Sequence, residues 1–159
     1  MEQPTHPLAV VAEDAPLNTV RSILPAAFAA RVQGREKRRL GALFGLENFG
    51  VNLTRIVPGG MSSIRHAHTK QDEFIYVLAG HPTLQTTDGA VQLAPGMCAG
   101  FKAGSGRAHH LVNETDTDVL YLEVGDRTPG DEVTYPGEDL KVTQVNGAWV
   151  FTHEDGTPY

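Results

Sequence analysis

The residues of this chain best suited to chemistry are two histidines and a glutamate close together in the run Gly60-Met61-Ser62-Ser63-Ile64-Arg65-His66-Ala67-His68-Thr69-Lys70-Gln71-Asp72-Glu73-Phe74-Ile75-Tyr76-Val77-Leu78-Ala79-Gly80. The run around His66 and His68 reads as strand, and side chains on a strand alternate faces. Both imidazoles, and Ile64 below them, therefore point the same way. Thr69 to Asp72 is polar and turn-like, and Glu73 then opens a second strand rich in β-branched and aromatic residues. Antiparallel pairing of the two would return the Glu73 carboxylate beside the imidazoles. Two neutral nitrogens and a carboxylate suit a borderline divalent transition metal. A His-x-His pair alone is more often ordinary surface or core histidine. Further features are needed, and Gly106-Arg107-Ala108-His109-His110-Leu111-Val112-Asn113 supplies another histidine at the start of another apolar strand.

Gly60, His66, His68, Glu73 and Gly80 resemble the first motif of the cupin superfamily, glycine spacing included. Gly106, His109 and Asn113 resemble the end of its second motif. The resemblance implies that His66, His68, Glu73 and His109 are metal ligands projecting into a small β-barrel. His110 is the rival for the fourth place, but alternation sends it to the opposite face from His109. Two positions depart from the family pattern. Gly104 stands where a proline is usual, and Cys98 where the second motif would open with glycine. From about Phe28 to Tyr159 the chain is similar to small single-domain bacterial cupins often labelled sugar-phosphate-isomerase-like. The phrases Asn48-Phe49-Gly50-Val51-Asn52-Leu53 and Asp155-Gly156-Thr157-Pro158-Tyr159 carry part of that likeness.

Three imidazoles and one carboxylate leave open positions on a six-coordinate ion, as catalytic metals require, and manganese, iron, zinc and nickel all fit such a set. The leading expectation is a mononuclear metalloenzyme acting on a small polar metabolite, in the manner of a sugar or sugar-phosphate isomerase. An iron-dependent dioxygenase is the alternative enzyme, and a non-catalytic small-ligand-binding cupin the alternative outside catalysis. No catalytic side chain beyond the ligands is named by the sequence. Lys102 and Tyr121 are the candidate bases, without a pattern behind them.

The elements that must position these residues are short strands punctuated by turns. Ala42 to Leu46, Gly50 to Val57, Thr83 to Thr87, Ala90 to Leu93, Met97 to Phe101, His109 to Val112 and Val119 to Val124 read as strands, the last broken in its apolar run only by Glu123. Asp88-Gly89 and Asn146-Gly147 are hairpin turn pairs, the latter joining Lys141 to Val145 with Ala148 to Thr152. Strands at such intervals predict an all-β fold, a double-stranded β-helix or jelly roll. Residues 1–39 are expected to form an irregular arm packed on the barrel, with Leu8 to Ala12 as an edge strand, and 40–159 the barrel, one domain overall. The basic stretch Arg31 to Arg39 is expected to be a solvated loop, with a phosphate-binding or partner-binding patch as the alternative, and Gly125 to Gly137 a polar loop. Cys98 is expected buried, His81 exposed, and Trp149 and Phe151 packed on the core.

The net charge of -6 over 159 residues argues against a nucleic-acid partner. No run of about 18 apolar residues predicts a membrane span. The start, Met1 to Pro7, lacks the basic and apolar regions of a secretory signal, and one cysteine excludes an intrachain disulfide. A cytoplasmic protein is expected. If Glu73, Ile75 and Val77 face the barrel interior, Phe74, Tyr76 and Leu78 face outward and need a cover. The N-terminal arm or a second subunit could provide it, and with the pairing that the resemblance to cupins implies, a homodimer is expected.

Overall fold

The computed structural model describes residues 6–19 and 22–159. After a short helix α1 (Ala26–Ala29) come β1 (Arg35–Arg39), a second short helix α2 (Leu40–Leu43), β2 (Phe49–Ile56), β3 (Ala67–His68) and β4 (Glu73–Ala79). The hairpin of β5 (Thr83–Thr86) and β6 (Gly89–Gln92) follows, then β7 (Cys98–Phe101), β8 (His109–Val112) and β9 (Val119–Asp126). The chain closes with β10 (Glu132–Thr134), β11 (Lys141–Val145) and β12 (Ala148–Thr152).

One wall is a five-stranded antiparallel sheet in the order β1-β2-β9-β4-β7. The other combines a four-stranded sheet, β12-β11-β10-β3, with a three-stranded one, β6-β5-β8. Bridges Met61↔Val112 and His66↔His109 join β8 to the segment leading into β3. The result is the jelly-roll barrel, and sheet closure of this kind leaves few open edges.

The inner face of the larger wall grades from apolar to polar along the barrel. At one end Ile56 of β2, Val119 and Tyr121 of β9 and Val77 of β4 are buried together with Leu84, Leu93, Phe101 and Leu111. At the other end Asn52 faces Glu123 across the β2–β9 pair, and Gly50 faces Gly125. Glu73 lies opposite the same Gly125. A second apolar cluster, Phe28, Val32, Ile64, Val133, Leu140 and Val142, packs α1 and the turn after it on β10 and β11. Outward alternation on β4 is as expected: Phe74, Tyr76 and Leu78 are 42, 39 and 42 % exposed, while Ile75 and Val77 are buried.

The motif glycines have separate reasons. A Cβ on Gly60 would stand 2.9 Å from both the Gly34 carbonyl oxygen and Ile56 Cγ2, so the backbone approach there needs its absence. Gly80 ends β4 at φ 77° with Asp118 O only 2.5 Å from where a Cβ would lie. Asn113, wholly buried, ties the β8–β9 connection. Its Nδ2 donates to Ile56 O and Thr117 O at 2.9 and 2.8 Å.

Several local expectations are corrected. Arg35–Arg39 is not a loop but β1, paired with β2 at all five residues. Its side chains are polar throughout, so hydropathy gives no alternation to read. Leu40–Leu43 is helical and Gly45 turns at φ 66°, where a strand from Ala42 was expected. The polar loop after Gly125 contains β10, and Leu8 to Ala12 is exposed bend and 3-10 turn, not strand. Residues 1–5 of the arm, which include part of the predicted leaderless start, lie outside the described residues. In the first hairpin Thr86 pairs with Gly89, so Thr87 and Asp88 make the turn. The last hairpin turns at Asn146 (φ 51°) and Gly147 (φ 79°), as its sequence predicts. Among the described residues no helix is long and apolar enough to cross a membrane.

Candidate metal centre

The strand carrying the two histidines is short. Regular β3 pairing holds only Ala67 and His68, and His66 is fixed separately by reciprocal backbone bonds with His109, of 3.2 and 2.9 Å. That bridge places the first histidine of β8 directly beside the first histidine of the pair. Glu73 arrives from the opposite wall as the first residue of β4. The four side chains thus come from both walls of the barrel and meet inside it.

Glu73 is the hub. Its Oε2 lies 2.7 Å from His109 Nε2 and 3.4 Å from His66 Nε2, and its Oε1 lies 3.5 Å from His68 Nε2. His66, His68 and Glu73 each offer a donor atom within 4.8 Å of the others, so they could hold a metal ion. The three imidazoles keep only 8 to 14 % of their side-chain exposure and Glu73 29 %.

The far nitrogens decide which lone pairs face the centre. His66 Nδ1 is 2.8 Å from Ile64 O, and His68 Nδ1 is 2.5 Å from Asp131 Oδ2. A carbonyl and a carboxylate only accept, so both Nδ1 atoms donate and both Nε2 atoms turn toward Glu73. His109 differs: its Nε2 donates to Glu73 Oε2 at 2.7 Å, its Nδ1 lies 3.4 Å from Arg107 O, and Phe101 stacks on its ring at 3.5 Å. Histidines anchored through Nδ1 with Nε2 converging on a carboxylate match the donor set of a nitrogen- and oxygen-liking divalent metal. Holding an ion there requires His109 to release the proton it shares with Glu73.

A family model for the cupin domain matches residues 52–125. Over 95 % of its length the chain is 38 % identical to a sugar phosphate isomerase of the cupin superfamily from Silicibacter pomeroyi, covering 96 % of that chain with a TM-score of 0.89. The chain belongs to the cupin superfamily. A protein from Acidithiobacillus ferrooxidans, provisionally named a sugar phosphate isomerase, is 28 % identical over 89 % of this cupin and 98 % of its own chain, with a TM-score of 0.72. The polyketide cyclase RemF of Streptomyces resistomycificus, at 21 % identity and a TM-score of 0.61, shares the fold. No curated protein matches the chain.

Within the cupin, the rival histidine is elsewhere. His110 Nδ1 lies 2.9 Å from Ser63 O and its Nε2 3.0 Å from Gln85 Oε1, and burial pulls its pKa down. Lys102 is exposed and Cys98 is exposed on the edge strand β7, against the expected burial. The edge position explains it: Cys98 pairs with the outward Tyr76. Trp149 and Phe151 are half-buried against the second apolar cluster, as expected of core packing, and also line cavities beside the centre.

Three residues were missed. Asp131, wholly buried, holds His68 and takes the Lys70 amide at 2.8 Å, yet its loop sequence carries no signal. Lys37 and Glu123 face the same cavity as His66, Glu73 and His109 and are paired to each other. Glu123 had a signal, since it breaks an apolar strand; Lys37 had none, since β1 is polar on both faces. Asn52 Nδ2 and Tyr121 OH also donate to Glu123, at 2.9 and 3.1 Å.

The charges follow from these contacts. Burial pushes the Glu123 carboxyl up, but the Lys37 charge and the donated hydrogen bonds outweigh it and hold it below the usual range. Burial likewise opposes the Glu73 carboxylate, and the histidines around it bring its pKa well below normal. For His68 burial disfavours the imidazolium, but Glu73 and Asp131 more than offset this and raise it to about 9. Tyr121 is driven well above the usual phenol value, first by burial and then by Glu123, so it is no base at neutral pH.

Proposed function

We propose that this cupin holds one divalent transition metal through His66, His68, Glu73 and His109 and works as a sugar-phosphate-isomerase-like enzyme on a small polar metabolite. The observation that carries the reading is a second carboxylate, Glu123, facing the cavity of the histidine cluster without belonging to it. A dioxygenase needs no such group; an isomerase does. Likeness to the Silicibacter pomeroyi sugar phosphate isomerase over nearly the whole chain supports the same choice.

The bound metal would supply polarisation of a neighbouring carbonyl and hydroxyl. Glu123, ionised and oriented by Lys37, Asn52 and Tyr121, would take the proton from the hydroxyl-bearing carbon and return it to the former carbonyl carbon. Lys37, beside that carboxylate, stabilises its charged form and can carry a proton to or from the substrate oxygen. Phe101 and the buried apolar floor below the centre limit access of water.

The outer face of β4, with Phe74, Tyr76 and Leu78 exposed next to edge strand β7, supports a homodimer through this wall. Metal-loaded protein incubated in deuterated water with a panel of aldose and ketose phosphates tests the enzymatic reading. Deuterium should enter the carbon next to the carbonyl of one pair, followed by NMR. Oxygen uptake with ferrous iron and no such exchange would overturn the isomerase in favour of the dioxygenase.

A further inference from the structure

We propose that the cavity beside Glu73, between β1, β2 and β9, is the subsite for the phosphate group of a phosphorylated substrate, held by Arg39 and Arg127. The assignment rests on the small-metabolite reading above and names the substrate class of that same site.

Strand β1 turns Arg35, Lys37 and Arg39 to the inner face, because each pairs with an inward residue of β2: Ile56, Thr54 and Asn52. Their commitments differ. Arg35 donates to Ser62 O and Lys37 pairs with Glu123. Arg39, at the open end of the row, has no ion pair among the described residues and lines a cavity of about 320 Å³ with Arg127 and Glu73. Among the described residues the Arg127 side chain makes one hydrogen bond, a long one of 3.4 Å to the Leu46 carbonyl.

The acidic groups on this cavity are already engaged. Glu123 is covered by Lys37, Glu73 sits among the histidines, and Asp126 accepts the amides of Asp72 and Thr128 at 2.7 and 2.8 Å. Asp126 keeps its negative charge, but among the described residues neither Arg39 nor Arg127 forms an ion pair with it or with the other acids of the cavity, so both guanidinium groups have donors to offer a ligand. Guanidinium forks match the oxygens of a phosphate, and a dianion answers two of them better than a carboxylate does.

Space for the group comes from two glycines. Gly50 and Gly125 face each other across β2 and β9, and neither has positive φ, so the backbone does not demand glycine at either place. A Cβ on Gly50 would lie 3.6 Å from Arg127 Nη2, and one on Gly125 4.0 Å from Glu73 Cγ. Both would fit without a clash, but they would enter the gap between the carboxylate and the arginines. Glu73 lines this cavity and also belongs to the histidine cluster, so a short sugar could span both.

Calorimetric titration of the full chain with inorganic phosphate tests this, with metal and after chelator, and with acetate for comparison. Phosphate should bind in both preparations and acetate about tenfold more weakly. Arg39→Gln and Arg127→Gln should each weaken phosphate about tenfold. Gly125→Ala should weaken it too, and Arg55→Gln, which removes outer-face pairs with Glu36 and Asp118, should not. Absent phosphate binding, affinity unchanged in both arginine variants, or acetate binding equally well would overturn the subsite. Binding lost with chelator but indifferent to the arginines would also overturn it, leaving the metal reading intact. Arginine-dependent binding by a protein that takes up no metal would uphold the subsite while the metal reading failed.

Discussion

Asp131, with no solvent exposure, accepts the Nδ1 proton of His68 at 2.5 Å and so turns the other nitrogen of that ring toward Glu73. The same carboxylate accepts the Lys70 amide through Oδ1, which fixes the loop that leads from the histidine pair to the glutamate. One buried acid thus sets both the tautomer of His68 and the path to Glu73.

Removing it should be felt at the metal before it is felt in the fold. Asp131→Asn keeps the shape but loses the charge, and partners of this kind typically contribute about 10- to 100-fold in metal affinity. Competition titration with a chromogenic chelator measures this. Unchanged affinity in Asp131→Asn would remove His68 from the ligand set.

The proposed fourth ligand, His109, is separable from its rival by substitution. Protein purified without added metal or chelator should carry near one equivalent of a single transition metal by elemental analysis. His66→Ala and His109→Ala should lose it. His110→Ala should keep it, because His110 is spent on Ser63 and Gln85. Retention in His109→Ala with loss in His110→Ala would reverse the assignment.

How much of this was readable beforehand depended on whether polarity alternated with the strand period. The inward and outward residues of β4 were legible because Ile75 and Val77 alternate with residues that an open face tolerates, and Asn146-Gly147 announced its turn. The set His66, His68, Glu73 and His109 was legible through the resemblance to the two cupin motifs, and the four side chains do meet. Strand β1 was not, since Arg35 to Arg39 are polar on both faces and only the pairing with β2 distinguishes them. Asp131 was invisible for a different reason: its burial depends on contacts with residues more than 60 positions away.

The protonation of His68 gives opposite pH trends with and without metal. Its folded pKa of about 9 lies above the ordinary 6.5. The metal-free protein therefore has this stabilisation in full below about 6.5 and loses it as pH rises through about 9. Metal needs the neutral ring, so apparent metal affinity should rise over the same interval and level off above it. Melting temperatures of chelator-treated protein and metal titrations from pH 6 to 10 read the two trends. A metal affinity flat across that range would contradict the arrangement.

Lys37 and Glu123 should be coupled in stability. Their side chains are only 26 and 22 % exposed, so losing either one strands the other's charge. Lys37→Met and Glu123→Gln should each destabilise by about 2 kcal/mol or more, and the double variant by clearly less than their sum. Denaturant unfolding of the four proteins completes the cycle. In the deuterium-exchange assay Glu123→Gln should abolish carbon-bound exchange while leaving metal content intact. Additive destabilisation would show that the two charges are solvated independently.

The exposed face of β4 predicts the assembly. Light scattering at micromolar concentration should give twice the chain mass of 17.1 kDa. Tyr76 and Leu78 stand on the outward side of a central strand, so Tyr76→Lys with Leu78→Glu adds charge to that face without touching the barrel interior. The double variant should elute as a monomer and keep its metal, because none of His66, His68, Glu73 or His109 faces outward. A monomeric mass for the unaltered chain would leave these aromatic and aliphatic side chains facing water and remove the dimer.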